Sequence, residues 1–131
     1  MPVTGPTHET AFIAAFVVPE KRERYEEFLG KPKRRHEILG RFNHFFDFIP
    51  ARCRQVERDS AEALASILRS HGAKDIGYVI GGDNDGETLP LNDAIHNSLG
   101  SPCGAVVSCV PGKLALLLQE FPPGDVFLLE A

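Results

Sequence analysis

The chain has no tryptophan, one methionine and only three cysteines among its 131 residues. Each shortage excludes something. Three cysteines, Cys53, Cys103 and Cys109, cannot all pair within one chain, and none stands in a C-x-x-C spacing. Cys103 and Cys109 would lie about 20 Å apart on a continuous strand, too far for a disulfide. A disulfide-stapled scaffold is therefore not expected, and a reducing, cytoplasmic setting is. No apolar run approaches the roughly 18–20 residues of a membrane span. Ala11–Val18 is the longest early one, and Pro19 stops it. The opening Met1-Pro2-Val3-Thr4 has no basic n-region, so no secretory signal is expected. There is also no internal repeat, no low-complexity tract and no long linker. One domain over residues 1–131 is expected, with residues 1–7 as a loose tail.

What is present is phenylalanine, nine of them, enough to furnish an aromatic core. Charge is present too, unevenly. From Pro19 to Arg58 eleven Lys/Arg face seven Asp/Glu, which makes this stretch +4. From Asp59 onward three face ten, which makes it −7. A basic front and an acidic back imply a polarised surface or two halves that attract each other.

The apolar spacing predicts helices first. Ala11–Val18 is read as helical, and Pro19 opens a second helix over Glu20–Leu29 that Gly30 stops. A third is expected from Pro32 to Phe46, with Ile38, Leu39, Phe42, Phe45 and Phe46 inward and Glu37, Gly40, Asn43, His44 and Asp47 outward. Asp59 with Glu62 signals an N-cap for a helix to Gly72. Strands follow at Ile76–Ile80, Gly104–Val110, Leu114–Leu118 and Val126–Leu129, with a helix after Pro90 and a type II turn at Pro111-Gly112. This order predicts an α+β fold, with helices packed on one face of a mostly antiparallel sheet of about four strands.

Motifs that could carry chemistry fall short at required positions. Lys21, Arg22, Arg24, Lys31, Lys33, Arg34, Arg35 and Arg41 crowd two helices, as a phosphate-binding face needs. Glu20, Glu23, Glu26, Glu27 and Glu37 stand among them and would pair with these cations as a plain solvated face. Asp83-Asn84-Asp85-Gly86-Glu87 has the texture of a calcium loop, but Gly81 and Asn92 occupy positions where carboxylates belong. A tight polar turn is the simpler reading. His44 and Asp47, three apart, could pair a carboxylate with an imidazole, yet no H-E-x-x-H accompanies them. Ser108-Cys109 precedes a turn, as a nucleophile can, but the G-x-S-x-G elbow is absent. Gly112-Lys113 lacks the rest of a P-loop.

The strings K-R-E-R-Y, P-K-R-R, N-H-F-F-D-F, D-G-E-T-L-P-L and S-C-V-P-G-K-L-A together resemble a group of small bacterial proteins of unknown function, over about Glu20 to Ala115. The resemblance implies no activity and carries over no catalytic or binding residue. It implies only that the basic helices, the His44 region, the Asp-Gly loop and the Ser-Cys turn form one compact unit.

The leading expectation is a binding or regulatory module without catalysis. It would recognise a charged protein or nucleic acid through Lys21, Arg22, Arg24, Lys33, Arg34 and Arg35. No cofactor, metal or membrane partner is expected. The rival is an enzyme with a site between helices and sheet, built from His44 and Asp47 with Cys109 or Asp83. A third expectation is self-association through exposed apolar faces of Ala11–Val18 and the last strand.

Overall fold

The computed structural model describes residues 5–43, 47–100, 104–119 and 124–131. Helix α1, Gly5–Phe16, buries Phe12, Ile13, Ala15 and Phe16. It starts earlier than expected, so residues 5–7 are helical rather than a tail, and Met1–Thr4 lie outside the described residues. The early start places His8 and Glu9 on a helix that faces the sheet. Helix α2, Pro19–Leu29, opens on its proline and ends at Gly30, whose N–H bonds back to Glu26.

The expected third helix is shorter than its apolar spacing suggests. Helix α3 covers only Arg35–Leu39, and a 3-10 turn follows at Gly40–Asn43. Gly40 is a weak helix interior residue, and the tighter winding beyond it rephases the chain. Phe42 and Phe48 thus both enter a cluster with Phe12, Phe16 and Tyr25, ring centroids 5.6–6.5 Å apart. The same change turns Asp47 inward, to 2% exposure, where an outward carboxylate was expected.

Five helices and six strands make up the described fold. Helix α4, Ala61–Ser70, is capped by Ser60 rather than Asp59: Ser60 Oγ accepts the Ala63 N–H, and Asp59 accepts the Ser60 N–H. Helix α5 is Leu91–Leu99, ended by Gly100. The strands are β1 (Cys53–Val56), β2 (Ile76–Ile80), β3 (Thr88–Pro90), β4 (Ala105–Val110), β5 (Leu114–Leu118) and β6 (Val126–Glu130). Four match the expected strands; β1 and β3 are the short additions at the two edges. Every pairing is antiparallel, in the order β1-β6-β5-β4-β2-β3.

The helices sort onto both faces. Helices α1, α2 and α3 pack on the face that carries Tyr78, Ile80, Val106, Leu117 and Leu129. Helices α4 and α5 pack on the opposite face, against Val79, Val107, Leu116, Leu118 and Leu128. The second layer explains β5, where Leu-Ala-Leu-Leu-Leu is buried at every position instead of alternating. No helix among the described residues is long and apolar enough to cross a membrane.

Candidate functional site

Asp47 sits in the corner between α2 and the Gly40–Asn43 turn. Its Oδ2 accepts from Tyr25 Oη at 2.8 Å and from Arg41 Nε at 2.7 Å, and its Oδ1 accepts from Arg41 Nη2 at 3.0 Å. Burial pushes this carboxyl up, but the Arg41 and Tyr25 hydrogen bonds outweigh it and hold the group below its usual value. Burial, then the Asp47 bond, push the Tyr25 phenol up. His44 lies outside the described residues, so the expected His44–Asp47 pairing is not addressed. Cys109 is elsewhere, at the end of β4, and burial raises its thiol to about 12. Asp83 is exposed in the β2–β3 turn. Asp47 has Tyr25 and Arg41 as its hydrogen-bond partners, and neither Cys109 nor Asp83 is among them.

Arg35 is not part of a free basic face. Its guanidinium points inward and grips two carboxylates: Asp85 at 2.7 and 2.8 Å, and Glu9 at 2.8 and 2.8 Å. It also donates to the Leu29 carbonyl. Asp85 accepts in turn from the Gly81 N–H at 2.8 Å, and Tyr78 Oη donates to Glu9. Burial alone would raise Asp85, but Arg35 and the Gly81 N–H hold it low. The Asp83–Glu87 segment is thus the tight polar turn of a β2–β3 hairpin, anchored by one arginine from α3. Among the described residues no cluster of three or more His, Cys, Asp or Glu could hold a metal ion.

With Arg35 and Arg41 engaged internally, the basic excess shrinks. Lys21, Arg22, Arg24, Lys31, Lys33 and Arg34 remain, facing Glu20, Glu23, Glu26, Glu27 and Glu37. Lys31 pairs with Glu27 at 2.9 Å and Arg34 with Glu37 at 2.7 Å, all largely exposed. Arg22 donates to the Val17 carbonyl. Arg24 and Arg34 lie over the Phe28 ring, at 5.9 and 4.3 Å from its centroid. This is a mixed-charge surface, not a cationic stripe of the kind a phosphate backbone selects.

A cleft that combines space with convergent polar groups lies outside the sequence expectations. The β2–β4 register runs from Ile80↔Val106 to Tyr78↔Ser108 and stops. At the same point β4 shifts register against β5, between Ser108 and Val110. Beyond it, Ile76 and Gly77 on one side and Cys109, Val110 and Pro111 on the other line a cleft of about 560 Å³. His8 reaches across from α1: its Nδ1 lies 2.7 Å from Ser108 Oγ, and its ring stacks on Tyr78 at 5.2 Å. Burial holds the imidazole below its usual pKa, so it is neutral at pH 7. Thr88 and Lys74 complete the lining. Ile76, 55% exposed, is the sole exposed large hydrophobic side chain among the described residues, and it stands at this mouth. In the sequence Ser108 stands out only as the neighbour of Cys109 and His8 belongs to no motif, and a separation of 100 positions hides the pair.

Comparison with protein-family models, with curated proteins and with solved structures finds no match. Function has to be read from the geometry.

Proposed function

We propose that the protein is a binding module without catalysis, and that it takes a small, largely apolar molecule in the cleft between β2 and β4. The observation that carries this reading is the cleft itself. Its volume suits a small ligand, its walls are mainly apolar, and a few polar groups converge on it. The exposed Ile76 supports the reading, because a ligand would cover it. Absence of catalysis is supported by the state of the nucleophiles. The Cys109 thiol is held protonated. Ser108 is 1% exposed, and no carboxylate is bonded to His8 among the described residues to orient it as a base.

Calorimetric titration of the full chain with octanamide, a neutral C8 probe, tests the reading. One saturable site is expected, with a negative heat-capacity change from apolar burial. Ile76→Glu should abolish it while leaving the fold intact, since that side chain is exposed. Failure to detect saturable binding, or an Ile76→Glu variant that binds as well as the parent, counts against the cleft.

A second reading keeps the charged surface of α2 and residues 31–34. The specific observation is the pair of guanidiniums on Phe28, an arrangement that suits an acidic protein segment better than nucleic acid. Retention of the protein on polyglutamate at low salt, lost in Arg24→Ala/Arg34→Ala, would support it. Retention on duplex or single-stranded nucleic acid instead would favour the phosphate version.

A further inference from the structure

We infer that the ligand of this cleft is a small apolar monocarboxylate, its chain against Ile76, Val110 and Pro111 and its carboxylate at Lys74. The inference rests on the cleft being a binding site and adds the chemistry of what enters. The lining holds no Asp or Glu. Glu9, the nearest carboxylate on α1, is turned to Arg35 and Tyr78. With His8 neutral, Lys74 carries the one formal charge on the lining. Lys74 is exposed and makes no ion pair among the described residues; its neighbour Asp75 bonds Arg69 at 3.4 Å. A cation with no ion-pair partner among the described residues, at the rim of an apolar space, selects an anion with an apolar body.

Orientation follows from the inner wall. His8 Nδ1 and Ser108 Oγ bond each other, and Tyr78 donates to Glu9. These groups have no full charge to offer, so a carboxylate placed among them would lose its water without a counter-ion. The chain therefore points inward and the head stays at the rim. A solvated carboxylate–lysine pair there is weak, worth about two- to fivefold in affinity. It acts through selectivity between head groups, not through overall tightness.

The test compares octanoate, octanamide and octylamine on the full chain by calorimetry, with wild type and Lys74→Gln. Lys74 is exposed, so the substitution leaves the fold intact. Octanoate should bind about two- to fivefold tighter than octanamide, and octylamine most weakly. Lys74→Gln should bring octanoate down to octanamide and leave octanamide unchanged. Salt should weaken octanoate alone. Equal binding of octanoate and octanamide by wild type, or a preference that survives Lys74→Gln, overturns the carboxylate assignment while the cleft stands. No saturable binding of any of the three overturns the cleft reading and this inference together.

Discussion

Arg35 shows how a single residue can be misjudged from sequence. Its neighbours Lys33 and Arg34 are exposed, and by composition it belongs with them. On a helical wheel, however, it falls at the edge of the apolar stripe of Ile38, Leu39 and Phe42, which sets it apart from them. In the fold it holds Glu9 from α1, 26 residues before it, and Asp85 from the β2–β3 turn, 50 residues after it. Replacing Arg35 with Met leaves both carboxylates without their counter-ion, and the loss in denaturant unfolding should be about 3 kcal/mol. Arg35→Lys should recover only part of it, because an ammonium cannot grip two carboxylates with a planar fork. A loss under about 0.5 kcal/mol would mean the pairs are no stronger than surface ones. The cysteines give a second residue-scale expectation. Burial raises Cys53 to about 11 and Cys109 to about 12. In a Cys103→Ser variant, neither remaining thiol should react with a disulfide reagent at pH 7.5 until the protein unfolds. Fast native-state labelling of either would show an accessible thiolate.

At the scale of elements, the legible parts were those with strong local signals. Strands Ile76–Ile80 and Leu114–Leu118 have the expected bounds, and α2 and α5 end at their glycines. Elements set by tertiary contacts were not legible. Cys-Arg-Gln-Val shows no apolar alternation, and it becomes β1 only because β6 offers an edge to pair with. The third helix breaks after Leu39 because the aromatic cluster needs Phe42 and Phe48 on one side. The candidate cleft arises where two ladders fall out of step at Ser108, and no local pattern marks such a place. Gly77 tests the packing of this region. A Cβ there would meet Val107 Cγ1 at 2.7 Å and crowd Leu91 and Ala94 of α5. Gly77→Ala should therefore cost about 1–3 kcal/mol by overpacking. Val107→Ala added to it should recover part of that loss, so the two changes should be far from additive in thermal unfolding. Strict additivity would place the strain elsewhere.

For the whole molecule, the basic front and acidic back meet less than their charges suggest. Arg35–Asp85 is a direct ion pair between them, while Arg41 finds Asp47 within its own half. The basic front supplies α2, α3 and β1, and the acidic back supplies the other five strands and the α4–α5 layer. The cleft opens between β2 and β4, with His8 of α1 in its lining. Stability should report this through pH. Burial holds the folded His8 pKa below the ordinary histidine value of 6.5, so the native state binds fewer protons than the unfolded one. Its contribution is complete above 6.5 and is lost as pH falls below that value toward the folded pKa. Asp47 and Asp85 are held below 3.8, so their contributions persist through the His8 window and vanish only under stronger acid. Melting temperature should thus fall in two stages, and His8→Gln should remove the first while keeping the second. A single stage in the parent protein would contradict the buried neutral imidazole.

The most direct measurement of the central claim is an amide-resolved NMR titration of the full chain with octanoate. The account predicts saturable shifts concentrated at Ile76, Gly77, Cys109 and Val110, with little change along α2. Shifts scattered over the surface without saturation, or confined to α2 and residues 31–34, would contradict the cleft as the binding site.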